Sequence, residues 1–136
     1  MEQFEFTDEY KTHLDTIDYE HQKLFRMINE IISASKLDPE QARLLIEINL
    51  DELIKYTVYH FRTEEDLMIE HKDPNYESHK KAHDALKAKA IEYKKKFDNN
   101  EDILTQLVTF LQDWLIGHIK GTDMKYVDLF KEKNVQ

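Results

Sequence analysis

The sequence predicts an all-α protein: an up-down-up-down four-helix bundle with an N-terminal arm and a short C-terminal helix. Three observations carry this. Only 2 glycines and 2 prolines occur in 136 residues, too few for the turns of a β-rich chain. Apolar residues recur at three- and four-residue spacing in four separate stretches, the period of a helix with one buried face. The segments between these stretches are short and rich in breakers (Asp38-Pro39, the run around Pro74, and residues 98–102). They leave room only for tight connections, and so for antiparallel neighbours.

Residues 1–16 carry Phe4, Phe6 and Tyr10 among acidic residues and are expected to form an arm packed over one end of the bundle. The first helix, 17–36, has Ile17, His21, Leu24, Phe25, Ile28, Ile31 and Ile32 on one stripe, with Asp15 or Asp18 placed to cap its start and meet its dipole. The second, 39–69, opens with Asp38 as N-cap and Pro39 in the first turn. Its inward stripe is expected to be Ala42, Leu45, Ile46, Asn49, Leu53, Tyr56 or Thr57, His60, Glu64, and Leu67 or Met68. The third, 75–97, turns His79, His83, Leu86, Ala90, Tyr93 and Phe97 inward and leaves its many lysines solvated. The fourth, 101–120, presents Ile103, Leu107, Phe110, Leu111, Trp114, Leu115, His118 and Ile119. Gly117 and Gly121 flank His118. Asp123 lies five residues beyond His118, off its face in an unbroken helix, and Gly121 is expected to end or bend the helix and bring Asp123 back. A short helix, 122–132, finishes the chain, and residues 1–136 are expected to form a single domain.

Composition excludes several classes of function. The formal net charge is −9, and no basic stripe is visible, which argues against nucleic acid or an anionic membrane as partner. The absence of cysteine rules out disulfides, thiolate metal sites, iron–sulfur clusters and cysteine nucleophiles. The acidic start MEQFEFTDEY lacks the apolar core of a signal peptide, and no apolar run approaches spanning length. A cytoplasmic protein is expected.

The chemistry gathers in the run from His60 to His83. Residues four apart on a helix share a face, so His60 and Glu64 aim at one spot, and so do His79 and His83. With His21 on the first helix and His118 and Asp123 on the fourth, every helix sends polar groups inward. One inward histidine is more often a satisfied core residue than a ligand. Four such features on four successive helices are different, because burying five imidazoles and two carboxylates unpaired costs several kcal/mol per charged group. Metal ions would use those lone pairs. Seven ligands are too many for one tetrahedral zinc, but suit two six-coordinate ions. The carboxylates would bridge them beside one solvent-derived oxygen, and five imidazoles divide three and two, leaving one position open. Imidazole itself suits iron, zinc, copper or nickel.

The segments IDYEHQKLF (17–25), HFRTEEDLM (60–68), ESHKKAH (77–83) and WLIGHIKGTD (114–123) together resemble the hemerythrin family, in its bacterial single-domain or sensor-module form (bacteriohemerythrin). The resemblance implies two iron ions, cycling between ferrous and ferric, with an oxo or hydroxo bridge. It implies His79, His83 and His118 on one iron, His21 and His60 on the other, and Glu64 and Asp123 bridging. The implied function is not catalytic: reversible binding of O2 as hydroperoxide at the five-coordinate iron, for transport, storage, or sensing of O2 or redox state. NO and azide-like anions are further expected ligands, and a covalently linked signalling output domain is an expected partner, since family members occur as such modules. Leu115, one turn before His118, is expected to pack over the ligand pocket, with Trp114, Phe61, Phe25 and Ile119 as further candidates. The chain departs from the family pattern in having Phe6 where Trp is common and His13-Leu14 where a small, Gly-containing segment is favoured. His13 and His71 match no ligand position; His71 reads as a loop residue and His13 as an arm residue within possible reach of the site. The rival reading is a di-iron oxidase, peroxidase or NO-handling enzyme, against which stand the absence of Glu-x-x-His motifs and the excess of imidazole over carboxylate.

Overall fold

The computed structural model describes residues 3 and 5–136. It is an all-α four-helix bundle with an N-terminal arm and a short C-terminal helix. The four main helices are α1 (Asp15–Ala34), α2 (Pro39–Glu70), α3 (Tyr76–Asp98) and α4 (Leu104–Gly117); the last short helix is α5 (Val127–Glu132).

The arm packs as expected. A short 3-10 turn at Asp8–Tyr10 brings Tyr10 and Phe6 against Phe25 of α1, with ring centroids 5.2 and 5.4 Å away. Phe4 lies outside the described residues. Neither Asp15 nor Asp18 caps α1: Leu14 holds the N-cap position without a side-chain bond. The Asp18 carboxylate instead accepts hydrogen bonds from the Thr12 amide (2.8 Å), the Thr12 hydroxyl (2.7 Å) and the His13 amide (2.9 Å). The arm turns sharply at His13, whose φ of 64° lies in the left-handed region. The donors freed by that turn face Asp18, so the carboxylate clamps the arm rather than capping the helix.

Asp38 and Pro39 do start α2. The cap is made by backbone alone: Asp38 is extended, its carbonyl accepts from the Ala42 amide at 2.8 Å, and its carboxylate makes no capping bond. The buried stripe of α2 runs through Ala42, Ile46, Leu50, Leu53, His60, Phe61, Glu64 and Met68. Leu45, expected inside, is exposed, and Leu50 takes the inward place. The expected line holds at Ala42, Ile46, Leu53, His60, Glu64 and Met68, and it is widened by Leu50 and Phe61 because α2 packs against both α1 and α3. On α4, Ile103 forms the buried N-cap, and Val108 joins the core beside Leu107 and Leu115.

The end of α4 corrects the sequence expectation. The regular α-helix stops at Gly117, before Gly121. The backbone continues through a π-helical turn, His118–Thr122, in which the Asp123 amide donates to the His118 carbonyl. A π turn closes on i+5 rather than i+4, and this wider turn stacks Asp123 on His118. A 3-10 turn, Asp123–Tyr126, then leads into α5. Neither glycine has a positive φ, and a Cβ at Gly117 or Gly121 would meet nothing within 4 Å. Replacing Gly121 by Ala is therefore expected to stabilise the chain by about 0.5–1 kcal/mol through lost freedom in the unfolded state, with metal uptake unchanged. A fall in melting temperature would show that the turn needs glycine after all.

The core is split by a polar layer. On one side a large apolar cluster runs from Leu24 and Phe25 through Leu53, Leu107 and Leu115. On the other, Leu14, Ile17, Met68, Tyr126 and Phe130 form a smaller one. His21 lies between Ile17 and Leu24 along α1, and Glu64 between Phe61 and Met68 along α2, so the polar layer is sealed above and below. Among the described residues, no helix is long and apolar enough to cross a membrane.

Candidate metal centre

The structure brings together all seven residues singled out from the sequence, and all seven are buried. They fall into two groups whose ligand atoms lie within 4.8 Å of one another: Glu64, His79, His83, His118 and Asp123 form one, and His21, His60, Glu64 and Asp123 the other. Glu64 and Asp123 belong to both. Three imidazoles thus stand on one side of a carboxylate pair and two on the other.

The Nε2 atoms point inward. Those of His21, His79 and His118 lie 3.0, 3.1 and 2.9 Å from Asp123 oxygens, and that of His60 lies 2.9 Å from Glu64. His83 and His118 face each other Nε2 to Nε2 at 3.0 Å. Yet His21 Nε2, His79 Nε2, Glu64 Oε1 and both Asp123 oxygens lack a hydrogen bond of acceptable geometry. They are close without being aligned on one another, as donor atoms directed at a common point would be. Buried polar atoms rarely go unsatisfied, and this donor set of imidazole nitrogen and carboxylate oxygen fits a pair of metal ions.

The outward ring nitrogens reveal residues that sequence reasoning missed. His60 Nδ1 pairs with Glu20 Oε1 of α1 at 2.7 Å, and the other Glu20 oxygen accepts from Thr63 Oγ1 at 3.2 Å. His83 Nδ1 pairs with Glu65 Oε2 of α2, also at 2.7 Å. Each carboxylate reaches across to a neighbouring helix, fixing ring orientation and leaving Nε2 to face the centre. Tyr126 donates its hydroxyl to Glu64 Oε2 at 2.6 Å. Glu20 and Glu65 sit next in sequence to His21 and Glu64, off the inward stripes, where nothing but that adjacency separates them from surface acids. Converting Glu20 or Glu65 to Gln is expected to weaken metal binding about 10–100-fold, read by chelator competition; an unchanged affinity would reduce these contacts to packing.

Aromatic rings hold the imidazoles from the sides. Phe61 stacks on His83 with centroids 3.7 Å apart, Trp114 on His118 at 4.3 Å, and Tyr126 on His79 at 5.7 Å. Phe25 instead packs under the arm. His13 is exposed and belongs to neither ligand group. His71 caps the end of α2, its ring 5.9 Å from that of Phe130.

In the metal-free chain these groups neutralise one another. Burial alone would pull the His60 imidazole down, but the facing Glu64 carboxylate and the bond to Glu20 outweigh it and raise its pKa to about 10. Burial and the Asp123 charge push Glu64 up, and His60 and His83 overcome both, holding it at about 2. Burial likewise opposes ionisation of Asp123, which His118, His21 and His79 keep well below the usual carboxylate range. Burial and the two carboxylates raise the Tyr126 phenol, so it stays protonated as a donor to Glu64. The signs follow. His60, raised, adds stability that is fully present below its ordinary 6.5 and is lost as pH rises through about 10. Glu64, lowered, adds stability present above its ordinary 4.5 and lost as pH falls through about 2. A ligating Nε2 must give up its proton. Metal loading near neutral pH is therefore expected to release protons, and affinity to rise with pH; calorimetry in buffers of different ionisation enthalpy reads the proton count. Loading without proton release would contradict the His60 assignment.

The chain is similar to known proteins. Residues 12–130 match the hemerythrin HHE cation binding domain. A bacteriohemerythrin of Stenotrophomonas maltophilia is 34% identical over 124 residues, covering 91% of this chain and 79% of that protein. A hemerythrin-like protein of Naegleria gruberi is 35% identical over 107 residues, 79% of this chain and 76% of that one. A crystal structure of wild-type hemerythrin, 29% identical, superposes with a TM-score of 0.86 over 94% of this chain and 98% of its own. With two clustered ligand sets of the kind a di-iron centre needs, on a matching bundle, the chain belongs to the hemerythrin family.

Proposed function

We propose that this chain holds two iron ions and binds O2 reversibly, for transport, storage, or sensing of O2 or redox state. The observation that carries the reading is the sharing of Glu64 and Asp123 by a three-imidazole set and a two-imidazole set. His79, His83 and His118 would fill one iron with the two carboxylates; His21 and His60 leave the other one ligand short. The iron pair would supply the two electrons that O2 takes up and returns, together with an oxo or hydroxo bridge between the metals.

The protein's part is to hold the ligands and keep water away. Glu20 and Glu65 orient His60 and His83, and Tyr126 anchors Glu64. An apolar cavity of about 20 Å³ sits among Leu24, Leu53, Thr57, Leu86, Trp114 and Leu115, about the room one water-sized guest needs. Leu24, Thr57 and Leu115 lie one turn from His21, His60 and His118 respectively. The Thr57 hydroxyl is already spent on the Leu53 carbonyl at 2.7 Å, which leaves the cavity poor in free donors. Such a pocket favours a small apolar ligand over water.

Iron analysis and visible spectroscopy test the reading. The protein is expected to carry about two irons per chain, to be colourless when reduced without air, and to gain a visible absorption in air that reverses when O2 is removed. No iron would overturn it. Steady turnover of peroxide or NO that depends on Glu64 would replace it with an enzyme; NO or azide binding without turnover fits a ligand-binding site.

A further inference from the structure

The outer face of α2 has a second pattern, separate from the buried stripe. Leu45, Ile48, Glu52, Lys55, Tyr59 and Arg62 follow one another at alternating spacings of three and four, and all are exposed. Ile48 and Tyr59 each leave 58% of their surface uncovered, a large apolar display on one face of one helix. Alternating three-four spacing is the seam of a helix that packs lengthwise on another helix. The charges on this seam are free to pair outside the chain: among the described residues Glu52, Lys55 and Arg62 have no ion-pair partner.

We propose that this face is a homodimer interface, in which α2 packs antiparallel on α2 of a second copy. A twofold axis between Glu52 and Lys55 pairs each position with the one whose number completes the same sum. Glu52 then meets Lys55 of the other copy, twice, on either side of the axis. Ile48 meets Tyr59, and Leu45 meets the aliphatic stem of Arg62. Charge faces opposite charge, and apolar surface faces apolar surface. A parallel pairing would set Glu52 on Glu52 and Lys55 on Lys55. Sliding the antiparallel pair by one heptad in one direction keeps Glu52 on Arg62 and Leu45 on Ile69 but buries Ile48 on Asp66 and Tyr59 on Lys55, and in the other sets Ile48 on Glu52. The seam is therefore self-complementary in one orientation and one register, as an interface between identical surfaces requires.

Sedimentation equilibrium of the iron-loaded protein over a wide concentration range tests this. The average mass is expected to rise from that of one chain to that of two. Glu52→Lys places like charges across the axis and is expected to weaken the dimer at least about tenfold; Ile48→Glu is expected to do the same. The exchange Glu52→Lys with Lys55→Glu restores the opposite pairs and is expected to restore the dimer. These positions are remote from the ligand sets, so iron content serves as a check on folding. A single-chain mass at every concentration overturns the proposal. So does a dimer indifferent to both single changes, or one that the double exchange fails to recover.

Discussion

Glu64→Ala is expected to leave the chain with almost no iron, from about two per molecule before the change. No other single substitution except one at Asp123 should cost as much, because only these two side chains belong to both ligand sets. The loss should reach stability too. A ligand that binds only the folded state stabilises it by about 4 kcal/mol at a thousandfold excess over its dissociation constant. The variant forfeits that contribution, leaves His60 Nε2 without the carboxylate that faces it at 2.9 Å and strands the Tyr126 hydroxyl. His118→Ala is expected to empty the three-imidazole set first, since it also removes a contact to Asp123 and the face that Trp114 covers. Iron content and urea unfolding midpoints check both. Wild-type iron content in either variant would sink the ligand assignment.

Leu115→Ala should act on the ligand rather than the metal. Leu115 is buried and borders the small cavity between the helices. Shortening it enlarges that space and opens it toward His118. A buried Leu-to-Ala change costs about 2–5 kcal/mol, so the bundle should unfold at lower denaturant while retaining its iron. The functional effect is faster spontaneous oxidation of the O2-loaded protein, by about tenfold or more, equivalent to roughly 1.4 kcal/mol off the barrier, because water reaches a site meant to be dry. An unchanged oxidation rate would remove Leu115 from the ligand pocket.

Much of this could be read from the sequence, for identifiable reasons. The helices announce themselves through apolar spacing and through Asp38-Pro39, a signal that depends only on local backbone. His60 with Glu64, and His79 with His83, could be placed on common faces because helical geometry fixes what lies four residues apart. What lay beyond local rules was missed. The extent of the α2 stripe depended on two neighbouring helices, so Leu50 lies inside it and Leu45 outside. Asp18 looked like a cap until the arm's own turn presented it with better donors. Glu20, Glu65 and Tyr126 act across helix boundaries, and nothing in a linear pattern distinguishes an acid that reaches the next helix from one that faces water. Asp123 was expected at the centre through a break at Gly121; the π turn that positions it has no side-chain signature of its own.

That turn has a bearing on which length changes the chain can accept. In most bundles the connecting segments tolerate insertions and deletions and the helices resist them. Here the run from His118 to Asp123 departs from that rule in one direction only. Deleting one residue from it would let the backbone relax into an ordinary α-helix with better hydrogen bonds and, by every local criterion, a sounder fold. The carboxylate would still lie on the inner face, now four residues from His118, and everything after it would keep its phase; adding a residue would instead rotate Asp123 and all that follows by about 100°. Tyr126 would swing away from Glu64, and Phe130 from the apolar cluster that seals the far side. The π turn absorbs its one extra residue, keeping α4 and the C-terminal segment each in register with its own neighbours.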